Sequence, residues 1–488
     1  MSFELAYWRA KAQGRRYATY ITHTPAAGSV LGERALAAYE RVLHLSHKPA
    51  ALMESATHTG KAGRFSYVCL EGEDAFVLRE QKDLATLREL LRVNSPESMQ
   101  ETSPNGKLNI PFTGGGVGFL GHESICEIEP TVLRHTVDPN GLPDGCIVFF
   151  RNVIAFDHEE ECVSCCANVR TDISLEEARK QGEAATRRMF EMVFRSRPLP
   201  RKPESVDTKL ILSDTSKEEY LQMVHRAKRH IDAGDIFQVV LSQEFFTEYQ
   251  GSGVALYRAL RAINPSPCMF HMRFGSECKN MTLLGASPEI MCDIQNRTMR
   301  IRPLAGTCKR GANEAEDIVL GNALLQDPKE RAEHMMLVDL VRNDIGRFCT
   351  ATSIDVPELM KMVKCSHVMH IGSEVRGTLR NEVHPLDACL GSLPAGTLSG
   401  APKVRALQII AELEKQRRGP YGGAFGWFTD TNLDTCIIIR SAMLLNGYLS
   451  WRAGAGIVAD SIPENEWSET LKKAQAIRLA LEQIGTQQ

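Results

Sequence analysis

The chain has 488 residues, of which 57 are Lys or Arg and 60 are Asp or Glu, and its formal net charge is -3 at pH 7. This mixed charge, without a basic stripe, argues against a nucleic-acid-binding protein. No run of roughly 18 apolar residues predicts a membrane span, and the N-terminal segment lacks the apolar stretch of a signal peptide. We therefore expect a soluble cytoplasmic protein with no membrane partner.

The fourteen cysteines predict buried thiols in a reducing compartment rather than disulfides. Cys162, Cys165 and Cys166 include a CxxC spacing, but no second pair of that spacing completes a tetrahedral zinc site. We interpret this cluster as part of a buried strand.

The chain is predicted to consist of two portions, residues 1–200 and 208–488. Residues 196–208 concentrate proline and charge, which is typical of a linker. Alternation and periodicity before the linker predict strands at 50–55 and 146–156 and a helix at 175–194. After it, helices are predicted at 216–233 and 253–263, and strands at 236–246, 269–274 and 291–294.

The segment Asp327–Asp339 predicts a helix that carries carboxylates. Asp327 is suited to the N-cap and Pro328 to the first helical position. Glu330 and Glu333 are three residues apart and share a face. The residues that follow are apolar on nearly all sides, which predicts a helix packed inside a large domain. In a purely structural interpretation, Glu330 caps the helix and Glu333 faces water.

A second helix, predicted from Pro463 onward, repeats the same spacing with Glu466 and Glu469, and Lys473 follows one turn later. Four carboxylates on two facing helices would repel one another unless a hard divalent cation lay between them. Mg²⁺ typically takes one or two carboxylates, keeps several waters and accepts anionic groups of a substrate. The sequence therefore predicts Mg²⁺ as a cofactor, in a site open on one side.

Several polar residues and glycines lie inside apolar runs of the C-terminal portion. His370 lies in the strand-like run VMHIGSEV, where a lone histidine is more often part of the core than a catalyst. Thr397, Arg440 in the predicted strand CIIIRSA, and the segment Gly454–Gly456 offer a hydroxyl, a guanidinium and free backbone amides. Together they predict a site for a compound with two carboxylates, one bound by arginine and one neutralised by Mg²⁺. Neither a Walker A pattern nor a GxGxxG fingerprint supports nucleotide binding.

From about residue 220 to 484 the chain resembles the chorismate-binding enzymes, and in particular the large subunits (component I) of anthranilate synthases. The ordered motifs are NPSPCMFHMR, GASPE, IRPLAGT, DPKERAEHMMLVDLVRNDIGR, HVMHIGSEV, GTLSGAPKVRA, RRGPYGGAFGWF, LDTCIIIRSA and RAGAGIVADS. The resemblance is thinner before residue 200. It implies the α/β (α+β) fold of that family, with two packed subdomains of antiparallel sheets, flanking helices and a central active-site cleft.

The resemblance implies a reaction in which ammonia adds to C2 of Mg²⁺-bound chorismate, the C4 hydroxyl leaves and pyruvate is eliminated to give anthranilate. It makes Glu333 and Glu469 direct Mg²⁺ ligands, and Glu330 and Glu466 ligands through water. Glu289 of GASPE would be the general acid, with a raised pKa. The other residues implied are His370, Gln238 and Thr307 in catalysis, and Thr397, Tyr421, Arg440, Gly454, Ala455, Gly456 and Lys473 in substrate binding.

Two positions distinguish among the sister enzymes. Isochorismate and salicylate synthases carry a water-activating lysine where this chain has Gln238, and aminodeoxychorismate synthases carry a lysine where it has Ala305. Ammonia is left as the nucleophile. The chain lacks a Cys-His-Glu glutaminase half, so use of glutamine requires a separate amidotransferase subunit and hence a hetero-oligomer. Alternatives are an anthranilate synthase of a secondary pathway, an aminodeoxychorismate or isochorismate synthase, a non-catalytic homologue, or an interaction protein.

The resemblance assigns residues 1–200 a regulatory role and residues 208–488 the chorismate-binding catalytic domain. The segment LMES at 52–55 resembles the LLES element that binds inhibitory tryptophan, with Glu54 taking the ammonium. The residues implied for the inhibitor site are Leu52, Glu54, Ser55, Pro267, Cys268, Met269 and Cys436. The chain departs from the family pattern at Met53, Cys268 and Trp427 in that site, and at Cys308 and Arg452 near the active site.

Overall fold

The structure, a computed structural model, describes residues 3–26, 31–55, 63–79, 84–97, 110–132, 134–135, 137–195, 210–364 and 368–485. The predicted linker at 196–208 lies outside the described residues. Across the described residues, no helix has the length and apolar character needed to cross a membrane. The thirteen cysteines in these ranges are free thiols.

The elements of the described ranges alternate along the whole chain. The helices are α1 (Phe3–Ala12), α2 (Leu31–Leu45), α3 (Leu84–Asn94), α4 (Leu175–Phe194), α5 (Lys217–Asp232), α6 (Gly253–Ile263), α7 (Glu314–Gln326), α8 (Pro328–Gly346), α9 (Pro385–Ser392), α10 (Lys403–Leu413) and α11 (Pro463–Gly485). The strands are β1 (Tyr17–Pro25), β2 (Ala50–Glu54), β3 (Phe65–Leu78), β4 (Gly115–Leu120), β5 (Gly145–Asp157), β6 (Cys162–Arg170), β7 (Leu212–Ser213), β8 (Gln238–Glu248), β9 (Cys268–Arg273), β10 (Thr282–Ser287), β11 (Ile290–Gln295), β12 (Thr298–Ile301), β13 (Leu304–Lys309), β14 (Asp355–Lys364), β15 (Val368–Thr378), β16 (Gly400–Ala401), β17 (Ala424–Phe428), β18 (Leu433–Ile437), β19 (Ser441–Leu445) and β20 (Tyr448–Ile457).

Two antiparallel sheets branch from the long strand β5. It pairs with β3 along one side and, on the other side, with β4 in its first half and β6 in its second half. The first sheet runs β3–β2–β9–β10–β19–β20–β8. The second runs β4–β17–β18–β11–β12–β15, with β13 and β14 also paired to β15. Strands from before and after the predicted linker therefore share both sheets.

The two sheets face each other across an apolar layer and carry helices on their outer faces. Phe270 of β9 stacks on Phe425 of β17 between the sheets, with ring centroids 4.1 Å apart. Helices α2, α6 and α11 pack on the first sheet, and α3, α8 and α9 pack on the second. This arrangement confirms the predicted class of packed antiparallel sheets flanked by helices.

Most predicted elements lie where local signals placed them. Helix α4 has the predicted bounds because Ser174 accepts a hydrogen bond from the backbone N–H of Glu177 at its N-terminus. Asp327 caps α8 by accepting hydrogen bonds from the N–H groups of Lys329 and Glu330. The thiols of the CxxC cluster are all buried in β6, as interpreted.

Two predictions about elements were wrong. Helix α8 is not enclosed on all sides: β13 and β15 pack on one face and α7 and α9 also contact it, but Met335 is 37% exposed. The run CIIIRSA is not one strand, since β18 ends at Ile437 and β19 begins at Ser441. Arg440 lies between them with a φ of 49°, in the left-handed region, where a strand cannot continue.

Candidate active site

His370 lies on β15 and is held by the neighbouring strand β13. Its Nδ1 is 2.9 Å from the carbonyl oxygen of Gly306 and 3.1 Å from the hydroxyl of Thr307. A carbonyl can only accept, so Nδ1 carries the proton and Nε2 is left with a lone pair. Burial lowers the pKa of His370, although the Gly306 hydrogen bond offsets part of this effect. The imidazole is therefore a neutral group able to accept a proton.

Gly306 brings the histidine and the glutamates of α8 close together. Its φ of +63° lies in the left-handed region, which favours glycine. A Cβ at this position would lie 3.0 Å from Oε2 of Glu330. The glycine thus lets a carboxylate of α8 pack directly against the part of β13 that holds His370.

Glu289 is a buried acid between β10 and β11, rather than a charge at a strand end facing water. Its side chain is nearly inaccessible, and the Thr397 hydroxyl lies 3.3 Å from both carboxyl oxygens. Burial raises the pKa of Glu289 to about 8, and hydrogen bonds from Thr397 and the Leu304 N–H offset only part of that rise. Glu289 is therefore largely protonated at neutral pH and can donate a proton.

Strands β8 and β20 place Gln238 against a glycine face. A Cβ on Gly456 would lie 2.9 Å from Nε2 of Gln238, and one on Gly454 would lie 3.1 Å from the Tyr421 hydroxyl. Strand alternation puts the side chain of Ala455 on the opposite face, where it is fully buried, so only its backbone is available here. Oε1 of Gln238 is buried without a hydrogen-bond partner among the described residues.

Arg440 is near enough to both the acid and the histidine for its charge to act on each of them. Its positive charge lowers the pKa of both Glu289 and His370, although burial has a larger effect on each. Lys473 of α11 donates to the Gly454 carbonyl at 3.0 Å. The residues predicted to bind the substrate thus include two cations, which suits a substrate with two carboxylates.

The carboxylates of α8 and α11 influence one another. The pKa of Glu333 is raised by burial and then by the charge of Glu330, with a further contribution from Glu469. Burial and the charge of Glu469 likewise raise the pKa of Glu466. Glu469 also forms an ion pair with Lys473 at 2.8 Å.

These carboxylates fit Mg²⁺ by their chemistry. In the described part of the chain, no three carboxylate, imidazole or thiol groups are gathered closely enough to form a complete metal centre by themselves. Mg²⁺ does not require such a set, because it binds hard oxygen ligands, keeps waters and uses few protein carboxylates. Mutual repulsion of the carboxylates is the effect that a cation would relieve.

A cavity of about 480 Å³, including its mouth, lies between the two sheets. Oε1 of Glu54 accepts hydrogen bonds from Tyr257 at 2.9 Å and Arg261 at 2.5 Å. Oε2 of Glu54 and the Ser55 hydroxyl are buried and have no partner in the described ranges. The aromatic side chains that line the cavity are Phe65, Tyr67, Phe270, Phe425 and Trp427. The cavity suits a ligand with an aromatic ring and a polar head.

The residues predicted for the inhibitor site lie at this cavity, with one exception. Glu54, Ser55, Pro267, Cys268, Met269 and Cys436 all line it. Leu52 is the exception, and its prediction as an inhibitor-binding residue was wrong. Its side chain packs with the apolar residues beneath α2, because strand alternation turns Met53 toward the cavity instead. The prediction missed Phe65, Tyr67, Phe425, Asp434 and Thr435, and the alternation in RFSYV was the available signal for the first two.

Arg452 and Cys308, the two residues near the predicted active site that differ from the family pattern, have different surroundings. Arg452 is buried and donates to the Ser242 hydroxyl at 3.2 Å and to Asp214 at 3.4 Å. The charge of Arg452 is therefore balanced by carboxylates inside the protein. Cys308 is partly exposed on β13, immediately after Thr307.

A match to the chorismate binding enzyme family covers residues 48–479. The chain belongs to this family. Anthranilate synthase component 1 of Geobacillus stearothermophilus is 41% identical over 466 residues, covering 90% of each chain. The crystal structure of anthranilate synthase component I from Streptococcus pneumoniae TIGR4 matches with a TM-score of 0.73 and 32% identity, covering 86% of this chain and 93% of that one. The menaquinone-specific isochorismate synthase of Escherichia coli matches with a TM-score of 0.71 at 20% identity, covering 99% and 100%, which reflects the shared fold.

Proposed function

We propose that this chain is the chorismate-converting subunit of an anthranilate synthase, acting in the cytoplasm in tryptophan biosynthesis. It adds ammonia to C2 of chorismate, expels the C4 hydroxyl and eliminates pyruvate to give anthranilate. The observation that carries this proposal is the burial of Glu289, which raises its pKa to about 8, together with a His370 whose Nδ1 is held by the Gly306 carbonyl and with Gln238 where sister enzymes need a lysine. The high identity to anthranilate synthase component 1 proteins supports it.

The side chains of the cleft divide the proton transfers between them. Glu289 donates its proton to the departing C4 hydroxyl, so that water leaves rather than hydroxide. Nε2 of His370 assists proton transfer in the elimination of pyruvate, since Nδ1 is already committed to Gly306. Oε1 of Gln238 accepts a hydrogen bond from ammonia and orients its lone pair toward the ring. Arg440 and Lys473 balance the substrate's carboxylates.

Glu333 and Glu469 would hold Mg²⁺ directly, and Glu330 and Glu466 would hold it through water. When bound, the ion supplies positive charge for the substrate's ring carboxylate. The close packing of Glu330 against Gly306 puts these ligands beside the part of β13 that holds His370.

Ammonia would come from glutamine through a separate amidotransferase subunit, making the enzyme a hetero-oligomer. Gln238 and Ala305 argue against isochorismate and aminodeoxychorismate synthase activity, because neither side chain can activate water or form a covalent intermediate.

The proposed reaction is tested by following anthranilate fluorescence with chorismate, Mg²⁺ and ammonium. We expect product with ammonium alone, and product from glutamine only after an amidotransferase subunit is added. Isochorismate or aminodeoxychorismate as product would assign the chain to a sister activity. Chorismate binding without any product would identify a non-catalytic homologue.

We also propose that tryptophan binds in the cavity between the sheets and inhibits the enzyme. The unpartnered Glu54 Oε2 and Ser55 hydroxyl supply acceptors for its ammonium. The aromatic walls and the two thiols at Cys268 and Cys436 surround the space for the indole.

Replacing Glu54 with Gln is expected to raise the tryptophan concentration for half-inhibition by roughly 10-fold or more, because a charge-assisted hydrogen bond contributes about 1.5–3 kcal/mol. Activity without tryptophan should be retained. The measurement is anthranilate formation against tryptophan concentration. Glu33→Gln is the control, since Glu33 pairs with Arg261 but does not line the cavity. Equal inhibition of both variants and wild type would show that inhibitory tryptophan does not bind in this cavity.

A further inference from the structure

A buried ion pair lies next to the substrate-binding residues. Nε and Nη2 of Arg418 donate to the two carboxyl oxygens of Glu414 at 3.0 and 2.6 Å, and both side chains are almost completely inaccessible. Burial alone would raise the pKa of Glu414, but the charges of Arg418 and Arg452 hold it below its ordinary value. Glu414 also accepts hydrogen bonds from the N–H and hydroxyl of Ser242 at 2.8 and 3.0 Å. The pair is therefore charged and rigidly placed at neutral pH.

The other donors of Arg418 reach backbone carbonyls on two separate segments. Nη1 donates to the carbonyl of Leu398 and Nη2 to that of Val240, both at 2.7 Å. Leu398 directly follows Thr397, and Val240 is two residues after Gln238 on β8. Val240 is also the cross-strand partner of Gly456 on β20. The guanidinium of Arg418 thus connects the segment that carries the Thr397 hydroxyl with the strand that carries the Gln238 amide.

A third segment touches the same group. The guanidinium carbon of Arg418 lies 5.7 Å from the ring centroid of Tyr421, within the range of a cation–π contact. The Tyr421 hydroxyl in turn faces Gly454. The N–H of Arg418 itself donates to Glu123 at 2.8 Å, which fixes the start of the Tyr421 loop.

A charge is costly to bury, and an ion pair removed from water is weak evidence for stability alone. The planar guanidinium fork can hold one carboxylate and two carbonyls in fixed directions, whereas an ammonium cannot reproduce that geometry. We propose that Arg418, oriented by Glu414, is a positioning residue. It sets the separation between Thr397 and the Gln238–Gly456 edge, and thereby the fit of chorismate, without touching the substrate. This inference rests on the proposed function.

The test compares Arg418→Lys with Arg417→Lys. Arg417 is the adjacent, partly buried arginine and also pairs with carboxylates, but its hydrogen bonds to Asp138, Asp144 and the Leu142 carbonyl do not reach Leu398 or Val240. It also lies 3.6 Å from Glu123, which keeps its hydrogen bonds from the backbone N–H groups of Arg418 and Gly419 in the Arg417→Lys variant. Both variants are expected to lower the melting temperature. Below both melting temperatures, only Arg418→Lys should raise the KM for chorismate, by about 10-fold or more, because small displacements of positioning groups are costly. The KM for ammonium should stay unchanged.

Equal KM values for chorismate in the two variants and wild type would overturn the proposal. If Arg418→Lys does not fold, Ser242→Ala decides. It removes the hydroxyl that donates to Glu414 and accepts from Arg452, but leaves the Ser242 N–H bond to Glu414 and every charge in place. That variant should raise the KM for chorismate about 2- to 5-fold, and an unchanged KM would equally refute the positioning role. Wild-type protein that makes no anthranilate would refute the proposed function instead.

Discussion

Glu333→Gln is expected to remove most of the stabilisation that Mg²⁺ gives the folded chain. In wild type, added Mg²⁺ should raise the melting temperature, because an ion that binds only the folded state stabilises it by mass action. Loss of a direct ligand should weaken Mg²⁺ binding by at least about 100-fold, since loss of an outer-shell partner already costs 10- to 100-fold. Calorimetric titration with Mg²⁺ measures the binding, and anthranilate formation should fall in parallel.

Without Mg²⁺, Glu333→Gln should have the opposite effect on the melting temperature. Glu333 is repelled by Glu330 and Glu469, so its neutral replacement should melt slightly higher than wild type when no metal is present. Glu464→Gln is the control, because it removes the same charge from an exposed position at the start of α11. If Glu333→Gln binds Mg²⁺ as tightly as wild type, Glu333 is not a metal ligand. The carboxylates of the two helices would then form only a charged surface, as the alternative of an interaction protein predicts.

The elements that sequence predicted well carry their signals locally. Asp327 and Pro328 mark the start of α8 because cap and first-turn positions depend only on the neighbouring backbone. The Glu-x-x-Glu spacing in α8 and α11 likewise places each pair on one face. That the two faces influence each other, through Glu333 and Glu469, required the tertiary structure.

The failures have a different physical cause. Strand β2 is buried on both sides, so its sequence AALME shows no alternation from which to tell that Leu52 faces the helices and Met53 the cavity. The left-handed turn at Arg440 has no local signal, because neither glycine nor asparagine marks it. The role of Arg418 depends on carbonyls about 20 and 180 residues away in sequence, which no spacing rule brings together.

Glu289→Gln is expected to lower kcat by about 10²- to 10⁴-fold, the usual contribution of a general acid. The amide keeps the size of the side chain and a hydrogen-bonding partner for Thr397, so chorismate binding should change little. In wild type, kcat should fall as pH rises through about 8, where the carboxyl loses its proton. The residual rate of the variant should lack this alkaline limb. An alkaline limb that persists in Glu289→Gln would assign it to another group and remove Glu289 as the acid.

The same proton affects stability, with a definite sign. The folded-state pKa of Glu289 lies above its ordinary value, so the folded chain retains a proton that the unfolded chain releases. The stability linked to this proton is complete below the ordinary carboxyl pKa and is lost as pH rises through about 8. The melting temperature of Glu289→Gln relative to wild type should therefore increase between pH 5 and about 9.

Thr397→Val separates the burial of Glu289 from its hydrogen bonding. The Thr397 hydroxyl lowers the pKa of Glu289, so replacing it with an apolar group of similar shape should move the alkaline limb of kcat to higher pH. Lower kcat with an unmoved limb would mean that Thr397 contacts only the substrate. A shift to higher pH would show that the hydroxyl tunes the acid, keeping its pKa close enough to neutrality for the proton to leave during the reaction.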